Sequence, residues 1–322
     1  MRDAVEMVRV IRGDMMESVH AGAAVVADAS GRVVEAWGPS DAVIYPRSSC
    51  KMIQALPLVE AGAERDPRRL ALACASHQGA AIHVEGARAW LDELGLGEGN
   101  LRCGAHMPYA EDARDALVRA GETPCQLHNN CSGKHAGFLA LGRHLGAGPD
   151  YVDVAHPVQK AVREAFEDAT GAASPTWAVD GCSAPNFACR LDGLATAMGR
   201  FAGATGGDVR SRAMLALREA MAAHPDLVAG EGRACTDLMR AMDGVAVKTG
   251  AEAVFVAILP AQGLGIAVKI ADGATRAAEA VIAALLIRLG ALDPQSAVAR
   301  RLTHGPIRNR RDLVTGHYEV VL

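Results

Sequence analysis

Apolar and polar residues follow a strand-like texture at both ends of the chain and a helical one in the middle. Residues 23–27 and 32–37 are short runs rich in Val and Ala on either side of an Asp-Ala-Ser-Gly turn at 28–31, which predicts a β-hairpin. Late in the chain, 245–248, 253–259 and 265–270 predict three more strands, separated by Gly, Pro and Gln-Gly turns. Between these ends, 84–94, 158–169 and 209–222 repeat apolar residues every three or four positions, the period of a helix with one buried face. Strands at both ends around a helical middle predict an α/β (α+β) fold built as one domain over 1–322. An antiparallel sheet drawn from roughly 1–45 and 240–322 would be flanked by helices, with a mostly helical lobe over roughly 46–239.

Composition narrows the function classes. Half of the 322 residues are apolar but only 4% are aromatic, so the core is expected to be aliphatic and base-stacking platforms are not expected. The net charge is −4, and the only basic cluster is the Arg-Asn-Arg-Arg turn at 308–311, which argues against polyanion binding. Charged residues crowd the first turns where a secretory leader would be apolar. The longest membrane candidate, 280–287, is ended by Arg288 and is far shorter than a spanning helix requires. A cytoplasmic protein with its eight cysteines reduced is expected. Gly133-Lys134 lacks the upstream glycine and the following Ser or Thr of a phosphate loop, so no nucleotide is expected.

Candidate chemistry gathers in a few strings. Ser48 and Lys51 are three residues apart, so a helix starting at Ser48 would set hydroxyl and amine on one face, with Ser48 capping it. Lys51 could take a proton from serine only if burial or a second cation lowered its pKa from about 10.4. Lys248-Thr249-Gly250 is the strand string that accompanies Ser-x-x-Lys in penicillin-recognising enzymes, and its lysine is the natural second cation. Ser76, beside His77, supplies another hydroxyl that could pair with Lys248. The densest polar cluster runs from His128 to His135. Its Cys131 and Lys134, with Asp180 and Cys182 further on, offer two thiols, a carboxylate and an amine, a set that suits zinc if the lysine is neutral. The two cysteines could equally be ordinary buried thiols.

These strings together resemble the Rhizobium-type, thermolabile and inducible L-asparaginase family. The resemblance runs through Pro46-Arg-Ser-Ser-Cys-Lys51, Ala75-Ser-His77, Cys103-Gly-Ala-His-Met-Pro108, the segment 128–139, Asp180-Gly-Cys-Ser-Ala-Pro-Asn186 and Lys248-Thr-Gly-Ala-Glu252. It implies a fold akin to serine β-lactamases and glutaminases, and hydrolysis of L-asparagine to aspartate and ammonia through a serine acyl-enzyme. Ser48 would be the nucleophile and Lys51 its base, with Ser76 and Lys248 as a second pair and a bound zinc at Cys131, Lys134, Asp180 and Cys182. Arg47, His77, Asn129, Gly250 and Glu252 are the expected substrate contacts, Arg47 for the α-carboxylate and Glu252 or Asn129 for the α-ammonium. A cytoplasmic homodimer without nucleic-acid or membrane partners is implied. The alternatives are a penicillin-directed or glutamine-directed serine hydrolase of the same fold, or a non-catalytic amino-acid or zinc-binding protein. A penicillin-directed enzyme would normally carry a Ser-Asp-Asn string, which is missing here.

Overall fold

A computed structural model describes all 322 residues. The chain divides into two compact units: residues 1–49, 189–203 and 237–322 form the first, and 50–188 with 204–236 form the second. The span expected to make the helical lobe is thus divided, because 189–203 goes with the sheet.

The first unit is built on an eight-stranded, wholly antiparallel sheet. Its strands are β1 (Val5–Arg12), β2 (Met15–Asp28), β3 (Val33–Trp37), β4 (Ala246–Gly250), β5 (Val254–Leu259), β6 (Leu264–Ile270), β7 (Pro306–Arg308) and β8 (Val314–Val320), in the order β7-β8-β1-β2-β6-β5-β4 with β3 also on β2. The long β2 joins the two ends of the sequence. Its first half pairs with β1, and its second half pairs with β6 in the register Val25 to Ala267, and with β3. All six residues of β5 are buried, as expected of a strand covered on both faces, which explains its unbroken apolar run. The helices Leu191–Ala202 and Thr275–Arg288 both pack on the sheet. Helix and sheet meet backbone to backbone at Gly199 and Gly265, where a Cβ on Gly265 would stand 2.1 Å from Gly199 N. The apolar 280–287 run lies in Thr275–Arg288 as core, and no helix is long and apolar enough to cross a membrane.

The second unit is mostly helical. Asp66 and Asp208 cap the helices Pro67–Ala73 and Val209–Ala223 by accepting from backbone N–H groups of the first turn, and Gly171 ends Pro157–Thr170 in the left-handed conformation. Pro157–Thr170 buries Val158, Val162, Ala165, Phe166 and Ala169, the helical stripe its sequence carries. Ser132–His144 is buried from Ser132 through Gly142 and packs against Pro67–Ala73 and Ala81–Glu93. A small hairpin, Trp177–Val179 with Pro185–Phe187, completes this unit.

Candidate active site

The Ser-x-x-Lys string begins as a 3₁₀ turn, Arg47–Cys50, and becomes α-helical only at Lys51–Gln54. Ser48 therefore does not cap an α-helix. Cys50 holds that position and makes no side-chain cap. A 3₁₀ turn advances three residues per turn, so positions i and i+3 still eclipse and the logic of the spacing is kept. Ser49 is fully buried and closes the turn, its Oγ donating to Pro46 O at 2.7 Å, while Ser48 is half-buried. Arg47, just before Ser48, has φ +52, a conformation costly for a side chain with a Cβ.

What holds this turn is the end of β4. Gly250 approaches so closely that a Cβ there would lie 2.7 Å from Pro46 O and 3.0 Å from Ser49 N. Its φ is not left-handed, so the glycine answers proximity and not backbone conformation. Lys248, two residues earlier, is 1% exposed and donates to Thr249 O at 2.7 Å. In the same unit a cavity of 590 Å³ is lined by Arg47, Glu252, Lys269, Asp3, Asp41 and Tyr45 among others. Both charge signs face it, and three lining residues, Asp3, Arg47 and Glu252, have positive φ. Lys269 donates to Glu252 O, and burial lowers its pKa.

The second unit gathers the remaining groups. Lys51 is 1% exposed, and its Nζ donates to Ala75 O, to Ser76 Oγ at 3.0 Å and to Cys131 Sγ at 3.1 Å, one acceptor for each ammonium hydrogen. The amine assigned to Ser48 by spacing is thus hydrogen-bonded to Ser76. Cys131 is the residue before the helix Ser132–His144, Lys134 lies in its first turn, and Lys134 Nζ donates to Cys182 Sγ at 3.0 Å. The hairpin turn brings Asp180 and Cys182 here, tightened by Ser183 at φ +70 and by Ser183 N donating to Asp180 O. Asp180 Oδ2 stands 3.6 Å from Cys182 Sγ. Cys131 Sγ donates to Asn130 Oδ1 at 3.0 Å, and the neighbouring Cys131, with Lys134 and His135 assisting, holds the Cys182 thiol well below its ordinary pKa against the effect of burial. Cys131 is itself pushed well above, by the neighbouring Cys182 and by burial. Burial pulls Lys134 down, but Cys182, Cys131 and Asp180 outweigh it and keep the ammonium.

Two of the expected substrate contacts, His77 and Asn129, are held by hydrogen bonds within their unit. Both nitrogens of His77 are engaged, Nε2 with Ser132 Oγ at 2.9 Å and Nδ1 accepting from Gly79 N at 3.1 Å, and the ring stacks on His83. Asn129 donates to Cys103 O and Gly104 O and accepts from Cys131 N at 2.8 Å, so its amide staples the loop ahead of Cys131. Arg47 and Glu252, by contrast, line the cavity together.

A family model described as L-asparaginase II matches residues 8–320 of the sequence. The chain belongs to the L-asparaginase II family. As an L-asparaginase it hydrolyses the side-chain amide of asparagine. No curated protein sequence matches the enzyme. Among solved structures, a β-lactamase from Mycobacterium bovis is similar at 13% identity, over 83% of this chain and 94% of that one, with a TM-score of 0.42. In this L-asparaginase no three or more His, Cys, Asp and Glu side chains form a set arranged around a metal position. What stands at the expected zinc residues is a compact group of two thiols, one carboxylate and one ammonium. The chemistry of those donors still fits a soft divalent cation. The Cys182 thiol is held well below its ordinary pKa, and Lys134 Nζ stands 3.0 Å from its sulfur. Sequence reasoning gave no partner for His135, whose Nδ1 lies 2.9 Å from the Tyr151 hydroxyl. The signal for His135 was present, since Cys131, Lys134 and His135 stand at helical positions i, i+3 and i+4.

Proposed function

We propose that this L-asparaginase works through a serine acyl-enzyme with Ser48 as nucleophile. Ser48 is half-buried, follows a strained Arg47 that lines the cavity, and sits on a turn pinned by Gly250. Arg47 binds the α-carboxylate of asparagine bidentately and Glu252 the α-ammonium, which leaves the side-chain amide to reach the serine. Lys51, once neutral, takes the Ser48 proton as its oxygen attacks the amide carbon, and backbone N–H groups stabilise the oxyanion. The C–N bond then breaks with proton transfer to the leaving nitrogen, relayed through Ser76 and supported by the charge of Lys248. Water cleaves the aspartyl ester in the second half-reaction. The observation that carries this reading is the placing of Ser48, half-buried on the turn that Gly250 approaches and next to Arg47 in the cavity wall.

Cys131, Asp180, Cys182 and a deprotonated Lys134 would hold zinc, which would supply fixed positive charge beside the site. The residues assigned to the chemistry need no step through it. The same family resemblance supports a cytoplasmic homodimer as the working form. A second reading is favoured by one contact: the Lys51 to Ser76 hydrogen bond makes Ser76 the alternative nucleophile. Acid quench during turnover, followed by peptide mapping, separates the two. An aspartyl ester on the Ser48 peptide, together with no ammonia release from Ser48→Ala, is the expected result. An ester on the Ser76 peptide, or turnover by Ser48→Ala, would overturn the assignment.

A further inference from the structure

The turn that joins β4 to β5 carries Glu252 in an unusual backbone conformation. Glu252 and Ala253 stand side by side at φ +58 and +56, left-handed values that are costly for a residue with a Cβ and persist only where the surroundings hold them. Both supports of this pair come from β6. Lys269 is the register partner of Val254, the first residue of β5, which sets it beside the turn, and its Nζ donates to Glu252 O. One residue on, Ile270 N donates to Ala253 O at 3.2 Å. The carbonyl of each left-handed residue is thus held, one by backbone and the other by the lysine side chain. The carboxylate end is seated as well, since a Cβ on Gly273 would stand 2.9 Å from Glu252 Oε2. Glu252 and Lys269 line the cavity together with Arg47.

We propose that Lys269 is the positioning residue for Glu252: by holding the Glu252 carbonyl it fixes the left-handed pair and so sets where the carboxylate meets the α-ammonium of the substrate. The proposal rests on the reading of Glu252 as the ammonium ligand. Lys269 then governs how strongly the cavity prefers an amino acid to the same molecule without its amino group. A lysine acting instead on the α-carboxylate, in company with Arg47, would serve both molecules alike, because both keep that carboxylate. A lysine that merely held the fold together would also serve both alike.

The test uses the full chain, with aspartate and succinate as competitive inhibitors of asparagine hydrolysis. Succinate is aspartate without the amino group, so the ratio of the two inhibition constants reads the ammonium contact alone. It is measured for the wild type, Lys269→Met, Lys269→Arg and Glu252→Gln, together with kcat and KM for asparagine and hydrogen exchange over residues 251–254. Lys269→Met keeps the apolar stem and loses the donor. It should lower the preference for aspartate about 10-fold and raise KM for asparagine by a similar factor, with kcat within about twofold of wild type. Succinate should bind it as before, and exchange in the turn should quicken. Lys269→Arg, which keeps a donor, should recover most of the preference. An unchanged preference in Lys269→Met overturns the proposal, as does an equal loss of aspartate and succinate. If Glu252→Gln keeps the wild-type preference, it is the ammonium-ligand reading that fails. The exchange then decides the brace alone, since a turn that exchanges no faster in Lys269→Met refutes it.

Discussion

Gly250→Ala is the sharpest test of how the sheet positions the proposed nucleophile. The new Cβ would meet Pro46 O at 2.7 Å, Ser49 N at 3.0 Å and Ser49 Cβ at 3.3 Å, the atoms on either side of Ser48. Ordinary contact begins near 3.4 Å, so turn and strand must part by about 0.7 Å at the closest point. Two of the three atoms are backbone, which cannot swing aside as a long side chain would. Overpacking of this kind costs about 1 to 3 kcal/mol, equivalent to a melting temperature lower by roughly 1 to 4 °C in a protein of this length. The kinetic cost is larger, because a catalytic group displaced by about 1 Å can lose about 100-fold in rate, so kcat should fall about 10- to 100-fold. Steady-state ammonia release and a thermal melt measure the two effects. Gly86→Ala is the control. Its Cβ would meet only Leu72 Cδ2 at 3.4 Å, inside the helix Ala81–Glu93, and alanine there should leave activity intact and add about 0.5 to 1 kcal/mol of stability. A Gly250→Ala enzyme with kcat within about twofold of wild type would show that the close approach does not position Ser48.

Two further outcomes follow from the helical unit. Burial depresses the pKa of both stacked imidazoles, His77 and His83, below 6.5, so the unfolded chain binds more protons there as the pH falls. Their contribution is whole above about pH 6.5 and is lost as the pH drops toward the folded values. The fall in the urea midpoint between about pH 7.5 and about pH 5.5 should therefore be smaller in His83→Gln than in wild type, and an equal fall would refute the argument. Ser76→Ala and Cys131→Ala each remove an acceptor from the buried Lys51 amine, so the double variant should lose about 0.5 to 3 kcal/mol more than the sum of the singles, measured by urea unfolding. Additivity within about 0.3 to 0.5 kcal/mol would mean that the contacts do not share the lysine.

The sheet was legible where local pattern and burial agree. The 28–31 turn between β2 and β3, and the three late strands, fall within a residue or two of their expected places because a half-buried or fully buried strand writes its apolar run into the sequence. What no local pattern could tell is that the helix Leu191–Ala202 belongs with the sheet. Its amphipathic stripe is the same whether a sheet or another helix covers it. The clue lay in the small residues Gly199 and Gly265, which permit backbone contact between segments distant in sequence. The functional strings were legible as residue types, since Ser, Lys, Cys and Asp announce their chemistry. Their partners were not. Asn129, expected to meet the substrate α-ammonium, also makes three hydrogen bonds with the backbone at Cys103, Gly104 and Cys131, which nothing in its local sequence foretold.

Lys51 shows why pairing is the step that sequence alone leaves open. A spacing of three residues brings a hydroxyl and an amine to the same side of a turn, but the amine ends four methylenes away from the backbone and goes where acceptors wait. Here the turn after Pro67–Ala73 supplies Ala75 O and Ser76 Oγ, and the start of Ser132–His144 supplies Cys131 Sγ. The lysine is therefore shared between a hydroxyl and a thiol of the proposed metal set. Any change in charge at Cys131 acts on the amine directly, over 3.1 Å and with almost no solvent between, where electrostatic effects are screened least. If the proposed serine chemistry holds, the thiol cluster can tune it through Lys51 without touching substrate, so a loss of activity in a cysteine variant is a test of that coupling before it is evidence of a metal-bound step.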